Sequence, residues 1–119
     1  MKSLTKAEEQ VMQVIWKLKE CVIKDIVEAL PDPKPAYNTI GTFLKILENK
    51  GFVQRRKFGN VYAYSAAVSK RDYGHKSMQS LVSKYFNGSS EALLSFMMEE
   101  KELNIDQVEA LLNKLKKDD

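Results

Sequence analysis

The pattern of apolar and polar positions makes residues 36–58 the element around which this chain is organised. Apolar side chains recur there at i, i+3, i+4 and i+7, the spacing of one face of an amphipathic helix: Ile40, Phe43, Leu44 and Leu47. Gly51 follows at the position that commonly ends a helix. A basic strand over residues 54–57 comes directly after it. The opposite face of the helix carries mainly small, polar residues: Asn38, Thr39, Gly41, Thr42 and Lys45.

Two further helices are predicted before this element. The first covers about residues 5–19 and opens with a capping box formed by Thr5 and Glu8. The second is short and covers residues 23–30. All three prolines of the chain lie in residues 31–35 and separate the second helix from the third, because proline fixes φ and disfavours helix in the preceding residue.

A β-hairpin is predicted after the third helix. Its strands cover about residues 52–58 and 61–65, and Gly59-Asn60 between them is a recognised tight-turn sequence. Residues 20–22, between the first two helices, can form a brief third strand. Three helices followed by a basic hairpin predict a winged helix-turn-helix domain.

Three more helices are predicted over residues 69–86, 91–100 and 104–117. Their apolar stripes are too broad for so small a winged helix to bury, and exposure forfeits about 25 cal/mol for each Å² of apolar surface. Burial against a second copy of the chain is favoured, and a compact intrachain bundle is the alternative. The side chains expected at a dimer interface are Leu81, Tyr85, Leu93, Phe96, Val108, Leu111, Leu112 and Leu115.

The predicted fold class is therefore mainly α with a small β-hairpin. A winged helix-turn-helix domain is expected over residues 1–68, followed by a helical dimerisation domain over residues 69–119. A homodimer with two-fold symmetry predicts a palindromic operator whose half-sites lie about one helical turn, or a small multiple, apart.

Charge is distributed unevenly along the chain. The net charge is +3, but residues 34–76 alone carry nine basic and two acidic side chains, a balance of +7. The rest of the chain has ten basic and fourteen acidic groups. A basic centre between acidic flanks is the distribution that a nucleic-acid-binding face needs. Double-stranded operator DNA is therefore the predicted partner.

Side chains near the start of the third helix suit contacts with base edges. Asn38 can pair with adenine, and the methyl groups of Thr39 and Thr42 can pack on thymine methyl groups. Tyr37 either anchors the helix to a phosphate or packs against the domain. Asn38, Thr39 and Thr42 are the predicted base-reading residues.

Basic side chains of the third helix and the hairpin are expected at phosphates. They are Lys45, Lys50, Arg55, Arg56 and Lys57. Because side chains alternate along a strand, Arg55 and Lys57 share one face and Arg56 lies on the other. The sequence leaves open which of these faces meets DNA.

Catalytic and metal-binding chemistry is not expected. A single cysteine, Cys21, and a single histidine, His75, cannot supply a Cys/His zinc site with the usual number of ligands. No nucleophile motif, glycine-rich phosphate loop or matched carboxylate pair occurs. No metal, cofactor or enzymatic activity is therefore predicted. No apolar run is long enough to span a bilayer and no signal-peptide core is present, so no membrane insertion is predicted and the cytoplasm is the default location.

A protein-interaction module is the alternative to a DNA-binding protein, since winged helices also serve as scaffolds. On this interpretation, the polar face of the third helix and the side chains of Tyr62 and Tyr64 contact a protein. Tight binding to a partner without salt-sensitive DNA affinity distinguishes this alternative.

Short motifs are spread over nearly the whole chain: Thr5-x-Ala7-Glu8, Val11-Met12, Ile15-Trp16, Tyr37-Asn38-Thr39-Ile40 with Thr42, Leu47, Lys50-Gly51-Phe52-Val53, Tyr62-x-Tyr64 and Leu93-Leu94-Ser95-Phe96. In this order they resemble the penicillinase-repressor (BlaI/MecI/CopY) family of bacterial transcriptional regulators. The resemblance implies a repressor that reads its operator with an N-terminal winged helix and dimerises through C-terminal helices. It also implies induction by β-lactams through a membrane sensor-protease, which cuts the repressor near the dimerisation region.

The chain departs from the family pattern at two places. The family's cleavage dipeptide is Asn-Phe, whereas Ser95-Phe96 stands at the matching position and is the expected cleavage site. Gly41 and Ile46 stand where relatives often carry Arg. The operator sequence therefore does not carry over, and affinity is expected to depend on the hairpin and on the presence of two copies.

Overall fold

The computed structural model describes residues 3–117, which form helices and one small antiparallel sheet. The helices are α1 (Lys6–Leu18), α2 (Ile23–Ala29), α3 (Tyr37–Asn49), α4 (Lys70–Tyr85), α5 (Ser90–Glu99) and α6 (Ile105–Lys117). The strands are β1 (Glu20–Cys21), β2 (Val53–Phe58) and β3 (Val61–Ala66), in the sheet order β1-β3-β2. The predicted fold class, mainly α with a small β-hairpin, is confirmed.

The first helix begins with the predicted capping box. The amide of Glu8 donates to Oγ1 of Thr5 at 3.2 Å, and Oε1 of Glu8 accepts from the amide of Thr5 at 2.8 Å. These two bonds satisfy amides that have no partner within the helix. The cap therefore fixes the carboxylate of Glu8 at the start of α1.

The second helix ends before the prolines, and a lysine side chain caps it. Lys34 Nζ donates to the carbonyl oxygens of Glu28 at 2.7 Å and Leu30 at 2.5 Å. Carbonyl groups at a helix C-terminus lack partners within the helix and attract a cation. The Lys34 ammonium group thus stabilises the C-terminus of α2, three residues before α3 begins.

The third helix ends as predicted at Gly51, which adopts a φ of 84°. The amide of Phe52 donates to the carbonyl of Leu47 at 2.9 Å, and the amide of Gly51 donates to that of Glu48 at 3.0 Å. This is a Schellman motif, and it needs the left-handed backbone that glycine adopts without steric cost. The motif directs the chain from α3 into β2 with Phe52 fully buried.

One hydrophobic core fills the space between α1, α2, α3 and the sheet. The apolar face predicted for α3 is inside it: Ile40, Leu44 and Leu47 are buried, and Phe43 is partly buried. Burial of one such side chain stabilises the fold by about 1.5–3 kcal/mol. The other buried residues of this core are Val11, Met12, Ile15, Cys21, Ile26, Leu30, Phe52, Val53 and Tyr64.

The start of α4 is attached to this core by aromatic contacts. The ring of Tyr73 lies 5.5 Å from that of Phe52 and 5.9 Å from that of Trp16, measured between centroids. The Tyr73 hydroxyl accepts from the amide of Leu4 at 3.2 Å, and Trp16 Nε1 donates to the Val68 carbonyl at 2.9 Å. Residues 3–75 accordingly form one compact unit, and a second unit begins at Lys76.

The second unit holds most of α4 and all of α5 and α6, and its helices leave apolar side chains exposed. Among residues 76–116, Val82 alone is buried. Phe86 and Phe96 pack together with ring centroids 5.8 Å apart. The described residues of this unit therefore do not form a closed intrachain core, which was the alternative to burial in a dimer.

Candidate nucleic-acid interface

The outer face of α3 is polar and exposed. Asn38, Thr42 and Lys45 recur at helical spacing on this face, and Thr39 is exposed beside them. Thr42 Oγ1 donates to the carbonyl of Asn38 at 3.1 Å, so the hydroxyl has its donor used and can still accept. Within residues 3–117, no hydrogen bond engages the exposed Asn38 side chain, so its donors and its acceptor are available for an adenine edge.

The N-terminus of α3 is suited to contact with a phosphate. Tyr37 is the first residue of the helix and is 59% exposed, so it is not packed into the domain. The N-cap, Ala36, has no side chain that could accept from the first amides. Unpaired amides at a helix N-terminus favour an anion such as a phosphate. Of the two roles considered for Tyr37, exposure favours the contact with a phosphate.

The hairpin formed by β2 and β3, called the wing below, presents one face next to α3. Val53, Arg55 and Lys57 alternate onto this face, and Val53 is buried in the core. Arg55 Nε lies 3.2 Å from Oε2 of Glu48 on α3, and its Cζ lies 4.3 Å from the centroid of the Tyr62 ring. The wing face beside α3 therefore carries Arg55 and Lys57.

Arg56 lies on the other face of the wing. Its Nη2 donates to both carboxylate oxygens of Glu20 at 3.1 Å, and its Cζ lies 4.6 Å from the centroid of the Phe58 ring. Glu20 belongs to β1, the edge strand that β3 separates from β2. The structure thus separates Arg56 from the other basic side chains predicted at phosphates.

Lys50 is engaged inside the domain. Its Nζ lies 2.8 and 3.1 Å from the two carboxylate oxygens of Glu8 and 3.3 Å from the carbonyl oxygen of Ser3. Glu8 is buried, with 3% exposed. The hydrogen bond from Lys50, followed by that from the Thr5 amide, holds the pKa of Glu8 below its ordinary value. With three acceptors around its three protons, Lys50 is not retained among the phosphate contacts proposed below.

The carboxylates that organise this site are the residues that sequence reasoning missed. Glu8, Glu20 and Glu48 each hold one basic side chain, and in each pair the two residues belong to different segments of the chain. The capping box is the signal that could have drawn attention to Glu8. Within residues 3–117, Lys45 and Lys57 pair with no carboxylate.

Cys21 has the environment of an inert core residue. It is 3% exposed, and burial together with the nearby carboxylates of Asp25 and Glu20 raises its pKa to about 11. A thiol in this state is neutral at pH 7 and unreactive. Over the described part of the chain, no group of three or more His, Cys, Asp or Glu side chains could hold a metal ion. None of the helices in residues 3–117 has the length and apolar character to cross a membrane.

The side chains predicted at a dimer interface are mostly exposed in the second unit. Leu93 and Val108 are partly buried. Ser95 and Phe96, the predicted cleavage site, lie inside α5. The exposed members of the predicted interface are Leu81, Tyr85, Phe96, Leu111, Leu112 and Leu115.

A helix-turn-helix followed by a hairpin whose basic face adjoins the exposed helix defines a winged helix-turn-helix protein. The chain belongs to the penicillinase repressor family, whose profile matches residues 4–117. It is similar to the methicillin resistance regulatory protein MecI of Staphylococcus aureus, with 30% identity over 115 residues, 96% of this chain and 94% of MecI. The penicillinase repressor of Bacillus licheniformis is 26% identical over 109 residues, 91% of this chain and 85% of that protein.

A solved structure also matches. It is the solution structure of monomeric Bacillus licheniformis BlaI in complex with the blaP half-operator. The match has a TM-score of 0.51 and 30% identity, and it covers 60% of this chain and 89% of that chain. The family resemblance that the sequence motifs indicated is confirmed.

Proposed function

We propose that this protein is a transcriptional repressor that binds a palindromic DNA operator as a homodimer. The observation that carries the proposal is the union of the polar face of α3 with the Arg55 and Lys57 face of the wing. A helix in the major groove and a basic ribbon beside it meet bases and phosphates together. The half-operator complex of BlaI, a relative with the same fold, supports this use of the surface.

The two groups of side chains have different tasks in this proposal. Asn38, Thr39 and Thr42 contact base edges and set which sequence is preferred. Phosphates are held by side chains that are exposed next to these three and add affinity without sequence preference. Those proposed at phosphates are Tyr37, Lys45, Arg55 and Lys57. Arg55 is paired to Glu48 at the surface, and such a pair contributes little, so a phosphate can take over the guanidinium at small cost.

Dimerisation is proposed to cover the apolar side chains of the second unit. Leu111, Leu112 and Leu115 are each at least half exposed on α6. Apolar surface of this extent on one helix is stabilised by burial against a second copy. Two copies also raise operator affinity, because the second half-site is then bound within the same complex.

Release from the operator is proposed to follow proteolysis in response to a β-lactam-type signal. The expected cut is between Ser95 and Phe96, in α5. A cut there separates α6 and its exposed leucines from the DNA-binding unit, so the dimer and its operator affinity are lost together. The proposed partner in this step is a membrane sensor-protease, and the proposed location of the repressor is the cytoplasm.

Mobility-shift titration with operator fragments from the host genome tests the proposal. The wild-type protein should shift one or a few fragments in the presence of excess competitor DNA at moderate salt. Thr42→Ala should change the order of preference among those fragments while leaving total DNA affinity similar. A protein that shifts all fragments equally, or none, would show that it is not a sequence-specific repressor.

A further inference from the structure

One buried ion pair connects the start of α1 to the junction between α3 and the wing. Glu8 is the only charged residue that is buried in the described part of the chain. Lys50 is the residue that directly follows α3, and Gly51, Phe52 and β2 come next. The contact therefore lies at the junction between α3 and the wing, the two elements proposed to face DNA.

The geometry of this pair is fixed from both sides. The Glu8 carboxylate accepts from the Thr5 amide at 2.8 Å and cannot rotate without losing this half of the capping box. Lys50 Nζ is held by both carboxylate oxygens and by the carbonyl of Ser3. On the backbone side, the amide of Lys50 donates to the Ile46 carbonyl at 2.9 Å, and the Schellman motif fixes the next two residues.

We propose that Glu8 and Lys50 are positioning residues for DNA recognition, which set the orientation of α3 and the wing relative to α1. The proposal rests on the function proposed above. Apolar burial is non-directional, whereas a charge pair with four hydrogen bonds has a preferred geometry. Base readout depends on that direction, because a bidentate contact to a base edge is lost when the helix turns slightly.

Two other roles of Lys50, a direct phosphate contact and a purely stabilising ion pair, lead to different expected results. If Lys50 contacts a phosphate directly, its removal lowers the slope of log affinity against log salt by about 0.9, with the preference for the operator unchanged. If the pair serves only stability, a double variant with no unpaired buried charge should recover operator preference along with stability. A positioning role predicts neither result.

The test uses four variants of the full chain: Glu8→Gln, Lys50→Met, the double variant, and Lys45→Met as the matched control. Gln at residue 8 keeps the capping box, and Met keeps the length and apolar stem of Lys. Lys45 is exposed on α3 and is proposed at a phosphate. The readouts are the ratio of operator to competitor affinity, the salt slope, and the fraction folded at the assay temperature.

The expected result is a loss of about tenfold or more in the affinity ratio for Glu8→Gln and Lys50→Met, equivalent to one base contact, with salt slopes unchanged. The double variant should recover thermal stability without recovering the ratio. Lys45→Met should instead lower the slope and leave the ratio unchanged.

A reduced slope with an intact ratio for Lys50→Met, or recovery of the ratio in the double variant, would overturn the positioning role. If the single variants do not fold, the affinity ratio of the folded double variant, compared with that of the wild type, tests the positioning role. A wild-type protein without operator preference would overturn the proposed function itself, and the wild-type titration alone reveals that outcome.

Discussion

Arg55 of the wing and Glu48 of α3 lie in direct contact, with Nε of Arg55 3.2 Å from Oε2 of Glu48. The same guanidinium lies over the ring of Tyr62. Both side chains of the ion pair are partly exposed, so the pair is weak, but together with the stacked ring it holds Arg55 beside the outer face of α3. Helix and wing thereby form one surface with a basic edge.

Removal of single basic side chains should distinguish the two faces of the wing. We expect Arg55→Ala and Lys57→Ala to weaken binding to all DNA sequences and to lower the salt slope by about 0.9 each, the value for one phosphate contact. Arg56→Ala is the matched control, because Arg56 lies on the opposite face and is paired with Glu20. Fluorescence anisotropy titrations at several salt concentrations measure these slopes. An effect of Arg56→Ala as large as that of Arg55→Ala would contradict contact with DNA through the Arg55 face alone.

The pair of Glu8 and Lys50 should make stability depend on pH. The pKa of Glu8 is lowered below its ordinary 4.5, chiefly by the hydrogen bond from Lys50. Its contribution is therefore fully present above that value and is lost as the pH falls through the lowered folded-state pKa. At pH 7 we expect Glu8→Gln to reduce the free energy of unfolding by about 1–3 kcal/mol, and the difference should shrink at lower pH.

Urea unfolding of the wild type and Glu8→Gln between pH 7 and pH 3 measures this difference. Glu9→Gln is the matched control, since Glu9 is the exposed neighbour in the same helical turn. A difference between wild type and Glu8→Gln that is constant over this range would mean that the charge of Glu8 does not carry the stabilisation.

Gly41, inside α3, and Gly51, just after its C-cap, should respond in opposite ways to alanine. A Cβ added at Gly41 would lie 3.9 Å from Cδ1 of Ile23, an ordinary contact, so packing does not require glycine there. Gly41→Ala should raise the free energy of unfolding by about 0.5–1 kcal/mol, because alanine favours helix. Gly51→Ala should lower it by about 1 kcal/mol or more, because φ is 84° at that residue. Chemical denaturation measures both changes, and a destabilising Gly41→Ala would reveal a close approach that the contacts around α3 do not indicate.

Charged substitutions on α6 should dissociate the proposed dimer. The exposed side chains of Leu111 and Leu115 lie one turn apart, and a variant with both changed to Asp places two charges in the apolar stripe. We expect half the wild-type mass in sedimentation and weaker binding to a full operator. Asn113→Asp is the control, because it adds a negative charge on the opposite side of α6. An unchanged dimer in the double variant would place the interface elsewhere.

The elements of the fold that depend on local sequence could be predicted, and the contacts between distant charges could not. The apolar spacing of Ile40, Leu44 and Leu47 identifies the buried face of α3, and the glycine at residue 51 its end, because both follow from backbone geometry. The pairing of Lys50 with Glu8 joins residues 42 positions apart. No periodic pattern encodes that distance, so Lys50, which lies within the basic segment 34–76, was predicted at a phosphate.

The wing shows the same distinction. Strand alternation correctly separated Arg56 from Arg55 and Lys57, because side chains on a strand alternate in every sheet. Which face adjoins α3 depends on the packing of Val53 and on the contact with Glu48, and both arise only when the hairpin docks. Composition and net charge indicated a basic surface, but carboxylates from α1 and β1 engage Lys50 and Arg56 and so reduce the number of basic side chains available to it.

Selection of bound sequences from a random pool of double-stranded DNA tests most directly whether this protein is a dimeric, sequence-specific repressor. The wild-type protein should enrich one motif with two-fold symmetry, with half-site centres separated by about one helical turn or a small multiple. The same selection with Thr42→Ala should enrich a motif changed at equivalent positions of both half-sites. Enrichment of no motif, or of one without two-fold symmetry, would contradict the proposed function.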